Sequence, residues 1–266
     1  MPEAAPSDDP RGAPLHPTRL DGRVALVTGS GQNIGRAIAI RLAEAGASVI
    51  VNGANSREKV DGTVAAIREA GGTAHGIMAD VSEPAQVKEM VAEAIATFGK
   101  VDIAVSNVSR RLHKPFETIT IDDWDWAIRT NLSSCFYLAH EVVPGMKARG
   151  WGRIIHVSGY DGFTGHLTNR AYNIAAKSGM HGLSKAIGKE LGPHGITANT
   201  LVPGAIDTSR DWSQYPNTIV EDVKARIPLR RWGHVDDLAY GAVYLCTTGG
   251  FVNGQALHLN GGDHMF

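Results

Sequence analysis

Short apolar runs alternate with longer amphipathic stretches along most of the chain. The short runs predict buried strands at residues 23–28, 48–52, 74–79, 103–105, 153–157, 197–201 and 256–259. The stretches between them, in which apolar residues recur every three or four positions, predict helices at 36–45, 59–70, 83–98, 124–147, 171–191 and 236–245. Because strands that alternate with helices build parallel sheets, we expect an α/β fold with a single doubly wound parallel sheet and helices on both faces.

The ends of the chain and one long loop fall outside this alternation. Residues 1–20 contain five prolines and no apolar run, so they predict a flexible N-terminal arm and not a signal peptide. Residues 21–266 are expected to form one domain. The segment 207–230 is polar, aromatic and Pro-containing, which predicts a mobile lid, with Trp212, Tyr215 and Trp232 as candidate aromatic lining.

Composition excludes several classes of partner. The 266 residues carry a net charge of −1, so no basic excess is present to attract nucleic acid or anionic lipid. No stretch approaches the ~18 apolar residues that a membrane-spanning helix requires. Cys135 and Cys246 stand isolated in apolar segments, which is typical of reduced thiols and favours a cytoplasmic location. We therefore expect no nucleic acid and no membrane partner, and no metal site is expected either.

The turn after the first strand carries a strong chemical signal. Residues 29–35 are rich in glycine, with a strand before them and a helix after them. Small residues at such a helix N-terminus let backbone N–H groups approach a pyrophosphate, and the flanking elements supply the context that this motif requires. The predicted dinucleotide-binding residues of this turn are Gly29, Gly31, Gln32, Asn33, Ile34 and Gly35.

A hydroxyl, a phenol and an amine follow the fifth strand. Ser158 stands at the strand end, and Tyr172 and Lys177 lie on the next helix. Such groups can form an acid–base centre when they converge.

Together these motifs resemble the short-chain dehydrogenase/reductase (SDR) family, in particular its 3-oxoacyl-carrier-protein reductase-like members. The resemblance runs over about residues 20–262 and implies a Rossmann fold. It implies hydride transfer between NAD(P) and a small alcohol or carbonyl, and a homotetramer or homodimer with the 171–191 helix and the last strand at its interfaces. In the family a Tyr is the acid–base group, a Lys lowers its pKa, a Ser polarises the substrate oxygen and an Asn, here Asn131, holds a relay water. The further cofactor contacts that it implies are Asp80, Val81, Asn107, Lys177, Pro203, Gly204, Ile206 and Thr208.

Three positions depart from the family pattern, one in the glycine turn and two at the nicotinamide end. Asn33 replaces a glycine, although Asn tolerates a left-handed backbone better than most residues. Ser109 replaces a glycine and narrows the space beside the nicotinamide. Counting thirteen residues back from Tyr172, where the family has its Ser, gives Gly159. Ser158 is adjacent, but successive side chains on a strand point to opposite faces, so a satisfied hydroxyl at a strand end is at least as good an interpretation.

The Tyr–Lys spacing leaves two alignments open. Tyr172 and Lys177 are five residues apart and the family spacing is four, so the two side chains would lie ~140° apart on a straight helix. A π-bulge would bring them together. Otherwise the extra residue lies in the 160–170 loop and Asn173 takes the Tyr position, where an amide cannot protonate a carbonyl. Helix continuity favours the second alignment, and Tyr172 is retained as the phenol of this stretch.

Other groups are candidates for chemistry or for cofactor choice. Tyr160, Asp161 and His166 lie in the loop over the expected site, and Arg110, Arg111 and His113 follow the fourth strand. The segment after the second strand has no carboxylate before Glu58, which removes the usual partner of the NAD ribose. Three residues there are candidates to bind a 2′-phosphate, so NADP is favoured over NAD. They are Asn55, Ser56 and Arg57.

Two functions follow from these observations. The first is an NAD(P)-dependent oxidoreductase in which Asn131, Ser158, Tyr172 and Lys177 surround the substrate. The alternative is a dinucleotide-binding relative with weak or no redox activity, because the departures cluster at the nicotinamide end. A purely structural subunit has little support.

Overall fold

The computed structural model describes residues 18–165, 168–209 and 223–265. Within these ranges one parallel sheet has the strand order β3-β2-β1-β4-β5-β6-β7. The strands are β1 (Val24–Val27), β2 (Ser48–Gly53), β3 (Thr73–Met78), β4 (Ile103–Ser106), β5 (Gly152–Val157), β6 (Ile196–Pro203) and β7 (Ala256–Leu259). The α-helices are α1 (Asn33–Glu44), α2 (Arg57–Glu69), α3 (Pro84–Phe98), α4 (Ile121–Ile128), α5 (Ser134–Arg149), α6 (Ala171–Leu191) and α7 (Val235–Cys246).

Apolar residues cover both faces of this sheet. One buried cluster joins α1, α2 and α7 to alternate strand residues, among them Val27 and Ile155. The other joins α3, α5 and the end of α6 to the intervening residues, among them Leu26 and Ile154. Alternation along each strand sends side chains to opposite faces, which is why parallel strands buried on both sides are continuously apolar. The predicted doubly wound sheet is confirmed.

The long helical region predicted over 124–147 is present, but it is not α-helical throughout. A π-helical turn at Arg129–Ser133 separates α4 from α5. Such a turn holds one more residue than an α-helical turn and occurs often at functional sites. Asn131 lies inside it, so this irregular turn sets the direction of the Asn131 side chain.

Several predicted features lie outside the described residues. They are most of the N-terminal arm, His166, and the part of the lid from 210 to 222 with Trp212 and Tyr215. Across the described ranges no helix has the length and apolar character needed to cross a membrane. The same ranges contain no cluster of His, Cys, Asp or Glu suited to a metal ion.

The chain order of the strands points to the place where ligands bind. From β1 the chain moves outward to β2 and β3, and then returns to the other side of β1 with β4. In an open parallel sheet the crevice at such a reversal, at the carboxyl ends of the strands, receives the ligand.

Candidate active site

A cavity of about 490 Å³ opens at the carboxyl ends of β1, β4, β5 and β6. Residues from five parts of the chain contribute to its wall: the glycine turn, the segment after β4, the end of β5, α6 and the segment after β6. The lining residues are Gly29, Gln32, Asn33, Ile34, Gly35, Asn107, Val108, Ser109, Arg111, His113, Val157, Ser158, Lys177, Pro203, Thr208 and Ser209.

Close packing explains the small residues of the turn between β1 and α1. A Cβ atom at Gly35 would stand 2.5 Å from the Asn107 side chain and 2.5 Å from the Gly29 carbonyl, so no larger residue fits. The Asn107 amide donates to the carbonyls of Thr28 and Gly29 at 3.1 Å each, which ties the turn to the end of β4. Asn33 has a φ of +51°, so the left-handed conformation expected of this Asn is present.

The N-terminus of α1 suits an anion. Gln32 precedes the helix without making a side-chain cap, and the first turn contains no acidic residue. The first backbone N–H groups of a helix lack intrahelical partners, and their dipoles favour a negative group. The narrow glycine turn and this open helix end therefore fit the pyrophosphate of a dinucleotide.

A smaller cavity, of about 60 Å³, continues from Gly29 beyond the ends of β2 and β3. Asp80 and Val81, two of the predicted cofactor contacts, line it. Asp80 is fixed there, because its Oδ1 accepts hydrogen bonds from the Ser82 backbone N–H at 2.9 Å and from the Ser82 hydroxyl at 2.7 Å.

The cation next to the glycine turn is Lys59, a residue that sequence reasoning missed. Its Nζ donates to Gln32 Oε1 at 2.6 Å. The predicted 2′-phosphate residues are placed differently: Ser56 caps α2 by accepting from the Lys59 backbone N–H at 3.3 Å, and Arg57 pairs with Asp61 at 2.9 Å. Neither of those two side chains lines the main cavity, and neither does Asn55.

Lys177 and Ser158 both line the main cavity. Lys177 is 1% exposed, and its Nζ donates to the Val157 carbonyl at 2.9 Å. Burial lowers the pKa of Lys177 to about 7, and the neighbouring Arg111 lowers it in the same direction. A buried amine with such a pKa exchanges protons near neutrality, which is the property required of an acid–base group.

Ser158 is the outer member of a buried chain of hydrogen bonds. Its Oγ lies 3.1 Å from His181 Nε2, and His181 Nδ1 lies 2.9 Å from the Thr200 hydroxyl. Burial lowers the pKa of His181 to about 4, so the ring is neutral at pH 7. The interpretation of Ser158 as a satisfied hydroxyl agrees with this bond, but the side chain also lines the cavity. Sequence reasoning missed His181, although it stands four residues after Lys177 and so on the same helix face.

The helix α6 is continuous, which agrees with the second of the two Tyr–Lys alignments. It is α-helical throughout Ala171–Leu191, without a π-bulge between Tyr172 and Lys177. Asn173 therefore stands one turn before Lys177, and its Nδ2 donates to Asp161 Oδ2 at 3.0 Å. The Tyr172 side chain is fully buried outside the cavity lining, and burial raises its pKa.

Asn131 lies behind the cavity and not within its lining. Its Oδ1 accepts from the Arg110 backbone N–H at 2.7 Å, and its Nδ2 donates to the Arg110 carbonyl at 2.9 Å. The predicted relay residue thus holds the segment that follows β4. The Arg110 guanidinium itself lies over the Trp126 ring at 5.7 Å, so only its neighbour Arg111 lines the main cavity.

Some of the remaining predicted residues line the cavity, and the others contact elements around it. Ser109 and His113 line the cavity, as do Pro203 and Thr208. Several others lie outside this lining and contact neighbouring elements: Gly31 against Lys59, Gly204 against Asn260, Ile206 in the apolar core, Asp161 beside Arg170 and Tyr160 against His264.

Comparisons with known proteins found similar sequences and folds over most of the chain. A family model described as enoyl-(acyl carrier protein) reductase matches residues 29–264. A 3-oxoacyl-(acyl-carrier-protein) reductase from Staphylococcus epidermidis is 35% identical over 246 residues, which cover 91% of this chain and 98% of the relative.

Two solved structures extend the comparison. A gluconate 5-dehydrogenase from Burkholderia cenocepacia, in complex with NADP and tartrate, has a TM-score of 0.86 at 35% identity and covers 92% of this chain and 96% of its own. A 7α-hydroxysteroid dehydrogenase complexed with NADH and 7-oxo glycochenodeoxycholic acid has a TM-score of 0.88 at 32% identity. The match covers 92% of this chain and 95% of the dehydrogenase chain.

Proposed function

The chain belongs to the short-chain dehydrogenase/reductase family of nicotinamide-dependent oxidoreductases, and we propose that it transfers hydride between NADP and a small carbonyl or alcohol. One observation carries this proposal. A single cavity joins the glycine turn at Gly29–Gly35, where a dinucleotide fits, to Ser158 and Lys177, where a proton can be exchanged. The bound cofactor would supply or accept the hydride.

The cofactor-binding residues would hold the dinucleotide along the carboxyl edge of the sheet. The helix N-terminus of α1 would receive the pyrophosphate. Asp80 and Val81 would face the adenine, and Lys177 with the segment after β6 would bound the nicotinamide. The residues proposed to line this path are Gly29, Gln32, Asn33, Ile34, Gly35, Asp80, Val81, Asn107, Lys177, Pro203 and Thr208.

A preference for NADP is supported by the charges around the glycine turn. Asn52 stands at the end of β2, where a carboxylate would repel a 2′-phosphate. Its Oδ1 accepts a hydrogen bond from the Gly29 N–H at 3.3 Å. Lys59 supplies a cation beside Gln32. The structural relative from Burkholderia cenocepacia is complexed with NADP, whereas the steroid dehydrogenase is complexed with NADH.

The proton step is assigned to Ser158 and Lys177. The Ser158 hydroxyl would bind the substrate oxygen, held in place by His181. During reduction the carbonyl carbon gains hydride, and its oxygen takes a proton from the Lys177 ammonium; oxidation of an alcohol reverses both transfers. The Asn173 amide does not titrate, so it could not protonate the substrate oxygen from the phenol position. Asn131 would keep the segment after β4 in place, and Tyr172 would pack beneath the site.

Turnover tests the whole proposal. Purified protein is expected to oxidise NADPH in the presence of members of a panel of small carbonyls, and Lys177→Met should abolish this activity while NADPH fluorescence still reports binding. Lys189→Met is the matched control, because Lys189 is an exposed residue of the same helix. Binding of cofactor without turnover of any carbonyl or alcohol would favour the alternative, a relative without redox activity.

Cofactor preference has its own test. Lys59→Ala should weaken NADPH binding by about 5- to 10-fold, the size of one partly exposed charge-assisted contact, and leave NADH binding unchanged. Lys88→Ala, an exposed lysine on α3, is the control. Equal losses for the two cofactors would remove Lys59 from the 2′-phosphate site.

Assembly and location complete the proposal. A homotetramer or homodimer is supported by aromatic side chains that stay exposed on α5 and α7: Phe136 is 51% exposed and Tyr240 58%. A cytoplasmic location is supported by the two free, buried cysteines, Cys135 and Cys246. Light scattering on the purified protein measures the oligomeric state, and a monomer at all concentrations would contradict the proposed homotetramer or homodimer.

A further inference from the structure

Arg111 lies in the wall of the main cavity and has no counter-charge among the residues that the structure describes. It makes no hydrogen bond or ion pair with any residue of the described ranges. Two nearby cations in the same segment do have partners: Arg110 lies over the Trp126 ring, and Lys114 pairs with Asp123. An arginine left unpaired beside partnered cations is available to a ligand.

The rest of the described cavity wall adds one amine, that of Lys177, and no carboxylate. Lys177 and His113 line the same space, and no Asp or Glu occurs among its described lining residues. Arg111 is close enough to Lys177 to lower the pKa of that amine by repulsion. Two cations facing one cavity without a carboxylate create a site that an anion would stabilise.

The segment that carries Arg111 is held in a fixed position. Asn131 binds both the backbone N–H and the carbonyl of Arg110. The Lys114 backbone N–H donates to the Asn169 carbonyl at 3.2 Å, which ties the other end of the segment to the loop before α6. Because both sides of Arg111 are anchored, a ligand would not have to order this backbone on binding.

We propose that Arg111 binds a carboxylate of the substrate, so that the substrate is a small hydroxy- or oxo-carboxylate. This inference rests on the proposed oxidoreductase function. A guanidinium and a carboxylate match in geometry and can form two parallel hydrogen bonds. The reacting carbon of such a substrate would lie toward Ser158 and Lys177, which share the cavity with Arg111.

The phosphates of the cofactor have their own site. The helix N-terminus after Gln32 and the cation at Lys59 lie at the α1 side of the cavity. Arg111 follows β4, and its charge acts on Tyr172 and Lys177 of α6. The carboxylate site is therefore expected at the substrate end.

Binding of matched probes tests the anion site without turnover. Succinate is expected to raise the melting temperature of the protein–NADP complex, whereas succinamide, of similar shape but without charge, should not. Arg111→Gln should remove the response to succinate. Arg19→Ala is the control, because Arg19 is an exposed arginine outside the cavity and should leave the response unchanged. An equal response to the two probes, or a response retained in Arg111→Gln, would overturn the proposal.

Kinetics distinguish this inference from the function on which it rests. For a 2-oxo acid, Arg111→Gln should raise KM by about 10- to 100-fold, the range of one charge-assisted pair, while KM for NADPH stays the same. Turnover of neutral carbonyls as efficient as that of oxo acids would overturn the carboxylate site alone. Arg111-dependent succinate binding without any turnover would overturn the redox function and leave the anion site standing.

Discussion

Asn173 lies one helical turn before Lys177 on α6, and its amide Nδ2 donates to Asp161 Oδ2 at 3.0 Å. By its spacing from Lys177, Asn173 would take the position that the family pattern gives to a phenol, and its side chain is buried outside the described cavity lining. Asp161 also accepts from Arg170 at 3.3 Å, so the amide belongs to a buried polar group and is not free to move. In the proposed mechanism, proton exchange is therefore assigned to the neighbouring Lys177.

A second carboxylate at residue 173 should destabilise the fold. Asn173→Asp would place two carboxylates about one hydrogen-bond length apart with one arginine to share, whereas Asn173→Ala only removes a donor. We expect Asn173→Ala to lower the free energy of unfolding by about 1.5–3 kcal/mol, the value of a bond to a charged group. Asn173→Asp should lower the free energy of unfolding by more than Asn173→Ala does at pH 8, as measured by urea unfolding.

The pH dependence separates charge from shape at residue 173. Like charges raise the pKa of one of the two carboxyls in the folded state, so its protonated form is favoured there. Stability is then lost as the pH rises through that folded pKa. The deficit of Asn173→Asp should shrink between pH 8 and pH 5, while that of Asn173→Ala stays constant. A constant deficit in both variants would contradict this account.

The lowered pKa of Lys177 should appear in the stability of the protein. Its folded pKa of about 7 lies below the ordinary 10.5, so between these values the unfolded chain binds more protons. The penalty for burying the ammonium is full below pH 7 and disappears as the pH rises toward 10.5. The free energy of unfolding should therefore rise with pH in this window, by up to about 1.4 kcal/mol per unit.

Lys177→Met has no amine to titrate, so its difference from the wild type should change over the same window. Urea unfolding at pH 7, 8, 9 and 10 measures it. Lys189→Met, an exposed lysine of the same helix, should follow the wild-type curve. Parallel curves for the wild type and Lys177→Met would show that Lys177 titrates at its ordinary pKa.

The sheet was predictable because its signals are local. An apolar run such as 153–157 indicates a strand that is buried on both faces, and a glycine-rich run indicates a tight backbone turn at those same residues. The π-helical turn around Asn131 left no such signal, because it depends on how α4 and α5 pack. Helix spacing favoured Asn173 over Tyr172, but the choice needed proof that α6 is continuous. The bonds of Ser158 to His181 and of Lys59 to Gln32 join segments distant in sequence, so only the folded chain reveals them.

The left-handed Asn33 should tolerate glycine better than alanine. Its φ of +51° costs an L-residue about 1–2 kcal/mol, and its Oδ1 accepts from the Ser209 backbone N–H and hydroxyl at 2.9 Å each. Asn33→Gly loses these bonds but gains freedom at φ, whereas Asn33→Ala loses the bonds and keeps the strain. We expect Asn33→Ala to be the less stable of the two by about 1 kcal/mol in urea unfolding. Equal stabilities would contradict the assignment of strain.

Moving the strand-end hydroxyl by one residue tests which face of the segment meets the substrate. Ser158 lines the cavity, whereas Gly159, at the family's Ser position, does not. Ser158→Ala should lower kcat/KM by about 10- to 100-fold, toward the lower end of the loss for one oxyanion donor. Its structural cost is about 1 kcal/mol, because only one neutral hydrogen bond to His181 is lost.

The double variant Ser158→Ala/Gly159→Ser shows whether the hydroxyl works from the neighbouring position. A Cβ at Gly159 would meet no atom within 4 Å, so this serine should fold without strain, with a change within about 0.5 kcal/mol. Because successive residues of an extended segment point to opposite sides, the moved hydroxyl should not restore kcat/KM. Gly159→Ser alone should match the wild type in melting temperature, which separates a failure of chemistry from a failure to fold. Full recovery of kcat/KM in the double variant would assign the substrate oxygen to residue 159 and remove it from Ser158.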